Sequence, residues 1–309
     1  MIISTDWTQR LRLRHLEIIL RLAQTGNISH TAQALNMTQP GISRWLKEVE
    51  TEIGLTLFER HARGLRPTEH GQVLVAHAQR IIANLNLTRD DLLARQHEGS
   101  GLVKLGSTAA ATVETVPTAI TELLKRAPKT RVSILESTMD QLIKKLYAEE
   151  LDVIVGRSVP ELVNSDIDYE TLYFEPLQFI ARPHHPLATQ AQITWHELMQ
   201  YRWIIWPKNT PIRQDLERAL IADKQLLPKD YIESNSTLMN ITLLHNSDCI
   251  SVVSARAAKR LQQLQTITIL QLPLSGFGSV SMFWRKEAVS RPAVQQTIEA
   301  LRQAATLAP

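Results

Sequence analysis

Residues 37–50 read MTQPGISRWLKEVE, and this stretch decides the fold of the N-terminal part of the chain. The hydroxyl of Thr38 can cap a helix, and Pro40 suits a first helical turn, where a backbone N–H has no acceptor within the helix. No Glu or Gln stands three residues after Thr38, so a reciprocal cap is incomplete. Ile42, Leu46, Val49 and Ile53 recur at helical spacing and predict one buried stripe. Gln39, Ser43, Arg44 and Lys47 fall off that stripe and point outward.

Working outward, Leu13, Leu16, Ile19, Leu20 and Ala23 predict an amphipathic helix that stops at Gly26-Asn27. Between the two lies ISHTAQALNMT (28–38), read as a short helix capped by Ser29, with Ala32 and Leu35 inward and Asn36 at its end. Two short helices joined by a tight turn, the second showing polar groups at its N-terminal end, form the helix-turn-helix pattern. LTLFERHARGLRPTEHG (55–71) then reads as two short strands around a turn at Ala62-Arg63-Gly64. Arg60, Arg63 and Arg66 make this a basic wing suited to phosphates, and Thr68 caps the next helix.

From Gly71 to Gln96 there is no proline and no further glycine. Leu74, Ala78, Ile81, Leu85, Thr88 and Leu92 alternate spacings of four and three, the seam of a coiled coil. At ~1.5 Å per residue the helix is roughly 40 Å long. A narrow seam of this kind predicts dimerisation, the alternative being packing on its own chain. EGSG (98–101) reads as the hinge that follows.

Beyond the hinge the texture changes. LVKLGST, RVSILES, LDVIVGR, LQFIARP, RWIIWP, CISVVSA and ITILQLP are short β-rich runs. Helical patterns such as VETVPTAITELLKRA, MDQLIKKLYAEE, PIRQDLERALIAD and LMNITLLHN separate most of them. The alternation predicts an α/β fold with a mostly parallel sheet and helices on both faces, long enough for two subdomains.

Composition bounds the function. The chain has 309 residues, 44% hydrophobic and 21% charged, which favours two or three soluble domains. No apolar run approaches the ~20 residues of a membrane span, so no membrane partner is expected. The N-terminus does not read as a secretory signal, and the lone Cys249 excludes an internal disulfide; both favour a cytoplasmic location. The net charge of +3 is compatible with nucleic acid without arguing for it.

SHTAQALNMTQPGISRWLKEVETEIGLTLFERHARGLRPTEHG (29–71), with the helix and α/β region that follow, resembles the LysR-type transcriptional regulators. The family pattern is an alanine-rich helix, then S/T-Q-P-(A/G)-(I/V)-S, E-x-x-(I/L)-G-x-x-L-F-x-R and L-T-x-x-G. Trp45 departs from it, standing where a polar residue is usual; it either contacts DNA or packs on the neighbouring helix. LDVIVGR, RPHHPLA and the terminal VSMFWRKEAVSRPAVQQTIEAL extend the resemblance along the chain.

The resemblance implies a winged helix-turn-helix DNA-binding domain at 1–70, a linker dimerisation helix at 71–97 and an effector-binding regulatory domain at 98–309. That last part would be periplasmic-binding-protein-like: two Rossmann-like subdomains, about 102–173 plus 275–309, and 174–274. Double-stranded operator DNA would be contacted by Thr38, Gln39, Pro40, Ser43, Arg44, Lys47, Arg63 and Arg66. Arg44 would fork onto guanine, and Lys47, Arg63 and Arg66 would hold phosphates. The plainer alternative has Arg44 and Lys47 pairing with Glu48 or Glu50 on a solvated face. The resemblance further implies a homodimer or homotetramer and admits RNA polymerase as a partner. It implies no cofactor and no enzymatic activity.

Effectors in open α/β sheets sit at the carboxyl ends of strands. Four such places are legible: Ser107-Thr108, Gly156-Arg157, Thr210 with Arg213, and Ser236-Thr237. The resemblance implies that they converge on the cleft between subdomains. Hydroxyls and backbone N–H groups beside arginine suit an organic anion, for instance a carboxylate or sulfonate, and the effector expected is an organic anion (aromatic acid or sulfonate) or a sugar-related metabolite. RPHHPLA and TMDQLIKKLYAEELDVIVGR also resemble members governing aromatic-acid or sugar catabolism. Each hydroxyl pair is alternatively an ordinary helix cap, Arg213 has Asp215 and Glu217 as nearby partners, and Arg157 suits domain closure as well as ligand. A solute-binding module or an α/β enzyme would share this fold; the former would lack residues 10–95, and the latter needs a nucleophile or cofactor motif, none of which is present. His184-His185 reads as an exposed turn rather than a metal site, and Cys249 as a buried core residue. Trp203 and Trp206 either fill a core or line the cleft.

Overall fold

A computed structural model describes residues 7–61, 64–96, 101–157, 164–190, 192–208, 210–276 and 278–307. Residues 1–92 form the body of one compact unit, and residues 93–146 and 150–309 form a second.

The first unit runs α1 (Trp7–Arg10), α2 (Leu13–Thr25), α3 (Ile28–Ala34), α4 (Gln39–Ile53), β1 (Phe58–His61), β2 (Gly64–Pro67) and α5 (Glu69–Gln96). The four-residue stripe of α4 is buried as its spacing requires, against Leu16, Ile19 and Leu22 of α2 and Ala32 of α3. Each such apolar side chain contributes about 1.5–3 kcal/mol. Thr38 caps α4 by accepting the Gly41 N–H at 3.2 Å. The cap of α3 differs from expectation: Asn27, not Ser29, accepts the N–H groups of Ser29 (2.8 Å) and His30 (3.1 Å). Ser29 lies inside the first helical turn and itself carries one of the orphan N–H groups that a cap must reach. β1 and β2 pair antiparallel, Glu59 opposite Arg66.

The seam of α5 divides. Ala78 is buried and Leu74 half-buried in the core of the first unit. Ile81, Leu85 and Leu92 are 44%, 44% and 62% exposed. The start of the seam therefore anchors the helix on its own chain, and the remainder stays uncovered. The expected hinge at Glu98-Gly99-Ser100 lies outside the described residues.

The second unit continues with β3 (Leu102–Ser107), α6 (Ala109–Thr112), α7 (Thr115–Arg126), β4 (Arg131–Glu136), α8 (Met139–Tyr147), β5 (Val153–Arg157), β6 (Ile167–Glu175), β7 (Leu177–Ala181), α9 (Trp195–Leu198) and β8 (Trp203–Ile205). It closes with α10 (Pro211–Ala222), β9 (Tyr231–Glu233), α11 (Thr237–His245), β10 (Ile250–Ser254), α12 (Ala255–Gln263), β11 (Thr268–Ile269), β12 (Gly278–Arg285) and α13 (Pro292–Thr306). Among the described residues these make two five-stranded sheets, ordered β4-β3-β5-β12-β6 and β11-β7-β10-β8-β9.

The sheets are mixed rather than mostly parallel. In the first, β3 pairs parallel with β4 and β5, while β12 pairs antiparallel with β5 and β6. In the second, β8 pairs parallel with β9 and β10, while β7 pairs antiparallel with β10 and β11. The reason is connectivity: the chain leaves the first sheet through β6, enters the second through β7 and returns through β12, and β7 and β12 run against the βαβ units of their sheets while β6 runs with them. Leu105, Val153, Val155, Val280 and Met282 face α7 and α13 in one core. Phe179, Trp203, Ile205, Ile250 and Val252 pack with Leu216 and Leu220 of α10 in the other.

His185 is not part of an exposed turn. It is buried, its ring accepts the Leu187 N–H at 3.1 Å, and its other nitrogen lies 3.2 Å from the Asp248 carbonyl. His184 takes the positive φ of 62° that lets the chain reverse there. Cys249 is buried among apolar residues, as its β-rich context predicts.

Candidate functional site

Two surfaces carry the candidate chemistry, one in each unit. In the first unit, Thr38, Gln39, Pro40, Arg44, Lys47 and Arg66 are exposed and Ser43 half-exposed. Gln39, Ser43, Arg44 and Lys47 lie on α4 opposite its buried stripe, with the Gln39 amide 3.4 Å from the Ser43 hydroxyl. Arg44 donates to Glu48 at 2.8 Å, an exposed i,i+4 pair. Such pairs contribute only about 0.3–0.5 kcal/mol, so Glu48 holds Arg44 weakly. Arg63 lies outside the described residues.

Two residues beside this surface have structural work. Glu50 accepts the backbone N–H groups of Leu57 (2.7 Å) and Phe58 (3.0 Å), fastening the start of the wing to α4. Trp45 packs on the neighbouring helix: its ring centroid is 5.0 Å from that of His15, and it belongs to the fringe of the core. Burial and the nearby Arg12 and Arg14 hold the His15 ring below its ordinary pKa, favouring a neutral partner for the indole.

In the second unit, a cavity of about 410 Å³ opens where strand ends of both sheets meet helix starts. Its volume falls in the range of small-molecule sites, about 300–1,000 Å³. Thr108, Arg157, Thr210, Ser236 and Thr237 all line it, so four chain segments come together as expected. The first sheet places Thr108 and Arg157 at adjacent strand ends, because β3 and β5 are paired in parallel. Thr210 precedes α10 and Ser236 precedes α11, where Ser236 caps by accepting the Met239 N–H at 3.2 Å.

Three expected residues do not line the cavity. Ser107 is fully buried and bonds to the Thr108 carbonyl (3.1 Å) and the Thr112 hydroxyl (3.0 Å), since strand alternation turns it inward. Gly156 lies behind Thr108, whose Cγ2 and Oγ1 would stand 2.6 Å from any Cβ there. Arg213 is buried on the far side of α10. It donates to Glu217 (2.6 Å) and the Trp206 carbonyl (3.1 Å), with its guanidinium over the Tyr231 ring. The cavity also gathers Glu136, Ser137 and Thr138 from the β4–α8 junction, Asn235, and the apolar Met139, Trp206 and Leu238. RVSILES followed by TMDQL is the same strand-to-helix signal with hydroxyls at the junction, and it was legible in the sequence. Trp203 fills the core while Trp206 lines the cavity and donates to the Val252 carbonyl at 3.1 Å.

The electrostatics centre on Arg157. It is 3% exposed and its Nη1 donates to Asp215 at 2.5 Å, which ties β5 of the first sheet to α10 of the second. Asp215 also pairs with Arg218. Among the described residues, Nε and Nη2 of Arg157 are buried without a hydrogen-bond partner, and so are the hydroxyls of Thr108 and Thr237. Buried donors left unpaired each cost about 1–3 kcal/mol, more for a charged group, so this cluster is locally unsatisfied. Behind it, Glu175 is buried; desolvation raises its pKa, while the Arg256 N–H at 2.9 Å and the charge of Arg157 oppose the rise.

Residues 13–72 match the bacterial regulatory helix-turn-helix protein, lysR family, and residues 96–306 match the LysR substrate binding domain. The chain is 29% identical over 300 residues to the HTH-type transcriptional regulator GbpR of Azospirillum brasilense, covering 96% of this chain and 87% of that protein. It is 28% identical over 296 residues to the HTH-type transcriptional regulator GalR of Pseudomonas putida, covering 95% of this chain and 74% of that protein. Full-length CbnR complexed with its target DNA shares the fold, with a TM-score of 0.69 at 18% identity over 95% of this chain and all of that one.

Proposed function

The chain belongs to the LysR family of DNA-binding transcriptional regulators, and from that premise we propose that it is governed by an organic anion held in the cavity around Arg157. The family is one of regulators with an effector-binding domain, not of enzymes. The observation that carries the effector reading is one cavity on which Thr108, Arg157, Thr210, Ser236 and Thr237 converge, beside a guanidinium whose Nε and Nη2 have no hydrogen-bond acceptor among the described residues. Aromatic acids, sulfonates and sugar-derived acids all present the acceptor it lacks.

On this reading α4 enters the major groove of an operator duplex, with Gln39, Ser43 and Arg44 toward base edges and Lys47 and Arg66 toward phosphates. The exposed Ile81, Leu85 and Leu92 support pairing of α5 with a second copy, and a dimer of such dimers gives the homotetramer. The assembly acts in the cytoplasm with RNA polymerase as a downstream partner. Effector binding shifts the assembly, and with it the DNA, only through unequal affinity for two arrangements.

The test is a thermal-shift screen of the full-length protein against small carboxylates, sulfonates and neutral sugars. Acids are expected to raise the melting temperature by mass action, and Thr108→Val or Thr237→Val to weaken the shift. A response to neutral sugars alone sinks the anion reading.

A further inference from the structure

We propose that Arg256 is a positioning residue for the cavity: it latches the two halves of the second unit together at a separate cleft, and so sets how far the cavity stands open. This rests on the reading of the cavity as the effector site, and not on the charge of the ligand.

One half is the sheet β4-β3-β5-β12-β6 with its helices, the other the sheet β11-β7-β10-β8-β9 with its own. Besides the cavity, a cleft of about 430 Å³ lies between α7 of the first half and α12 of the second, and the two share no lining residue. The chain crosses between the halves at Glu175-Pro176-Leu177, where β6 ends and β7 begins. Arg256, in the first turn of α12, meets the first half in four ways. Its backbone N–H donates to Glu175 Oε2 at 2.9 Å. Its Nη2 donates to the Ala305 carbonyl of α13 at 2.8 Å. Its Nη1 lies 3.6 Å from Glu114 Oε2 at the start of α7. Its Cζ stands 3.8 Å from the centroid of the Tyr173 ring. Thr115 joins two of these partners: its hydroxyl lies 2.6 Å from that of Tyr173 and donates to Glu114 at 3.1 Å.

These contacts hold an angle where apolar ones do not. Ala109 and Val113 of the first half touch apolar clusters of the second, and such burial has no preferred direction. A guanidinium is planar with donors along fixed lines, so it keeps its partners in one arrangement. The Arg256 side chain is only 13% exposed, so water replaces those partners poorly. At the cavity, Arg157 reaches the opposite way, from the first half to Asp215 of the second. Its charge acts on Glu175, the same carboxylate that takes the Arg256 N–H. Any turn of the halves about that crossing moves α12 against α7 and α13. The cavity therefore cannot change width by such a turn without disturbing the contacts of Arg256.

The test is a distance measurement by electron–electron double resonance on the full-length protein. Nitroxides are placed at Lys144→Cys on α8 and Lys229→Cys before β9, exposed positions on opposite halves, in a Cys249→Ala background. Labelled chains are diluted with unlabelled ones, so that only distances within one chain are read. A single narrow distance is expected. Arg256→Met, which keeps a stem over Tyr173 and removes the donors, should widen the distribution about twofold. Arg302→Met, which removes an ion pair to Glu170 inside the first half, should leave it narrow. A distribution already broad without substitution, no widening in Arg256→Met, or equal widening in Arg302→Met overturns the latch. If Arg256→Met does not fold, Glu114→Gln decides: widening supports the latch and an unchanged distance overturns it. No ligand is used, so failure of the anion reading in the thermal-shift screen and failure of the latch here are separate results.

Discussion

Arg157 and Asp215 meet at 2.5 Å, one on a strand of the first sheet and the other on a helix of the second, and Gly278 lies against both. A Cβ at position 278 would overlap Arg157 Nη1 and Asp215 Oδ2, so only glycine admits the pair there. Removing one partner of a buried pair strands the other charge, which costs about 3–5 kcal/mol. Asp215→Asn is therefore expected to lower stability by about 3 kcal/mol in urea unfolding, nearer the low end because Glu175 also faces Arg157. The double variant Arg157→Met with Asp215→Leu should lose less than the single one.

Glu48 pairs with Arg44, which the proposed reading turns toward DNA. Glu48→Gln is expected to tighten operator binding several-fold, by freeing the guanidinium and removing a charge that repels phosphates. Arg44→Ala should cost about 1–3 kcal/mol and relax preference at one base pair. Lys47→Ala should weaken all duplexes alike and reduce the salt slope by about 1. Fluorescence anisotropy on duplexes selected from a random pool, across a salt series, reads all three.

Glu50 holds the wing through two backbone N–H groups. Glu50→Ala leaves those half-buried donors unpaired, at about 1–3 kcal/mol. Faster hydrogen exchange at Leu57 and Phe58 should report the loss; unchanged protection there would show that the clamp does not hold the wing.

His185 gives a pH dependence of known sign. Burial holds its folded-state pKa below the ordinary value near 6.5, so the unfolded chain binds the proton more readily. Its buried neutral form is therefore tolerated above that value, and stability falls as pH drops from about 6.5 toward the depressed folded value. His185→Asn, which keeps an acceptor for the Leu187 N–H, should flatten the fall in urea midpoint between about pH 7 and pH 5. Some slope will remain, since His15 is shifted in the same direction.

What could be read from the sequence was what is local. The stripe of α4, the Thr38 cap, the Pro40 start and the seven β-rich runs rest on spacings within a few residues, and the structure places helices and strands there. Strand β6 went unread because IDYETLYFE is rich in polar residues, and α12 because ARAAKRLQQ buries only Ala257, Ala258 and Leu261. The cavity was half legible. Hydroxyls at strand-to-helix junctions named Thr108, Thr210, Ser236 and Thr237, and the end of β5 named Arg157. Which way Ser107 and Arg213 turn depends on pleat and helix phase against partners distant in sequence. That Arg157 would find Asp215, 58 residues on, depends on two halves of the fold meeting.

The route of the chain through the second unit also sets an order of events. Strands β7 to β11 are continuous in sequence, so their sheet closes as soon as residue 269 is available. The earlier sheet waits for β12, which wedges between β5 and β6, and for α13, which covers it. During synthesis the half that begins first is thus completed last: β3, β4 and β5 stand with an open edge until Arg285 emerges. Unpaired strand edges of this kind are where nascent chains associate wrongly, so a chain whose β11 has emerged and whose β12 has not leaves this edge uncovered.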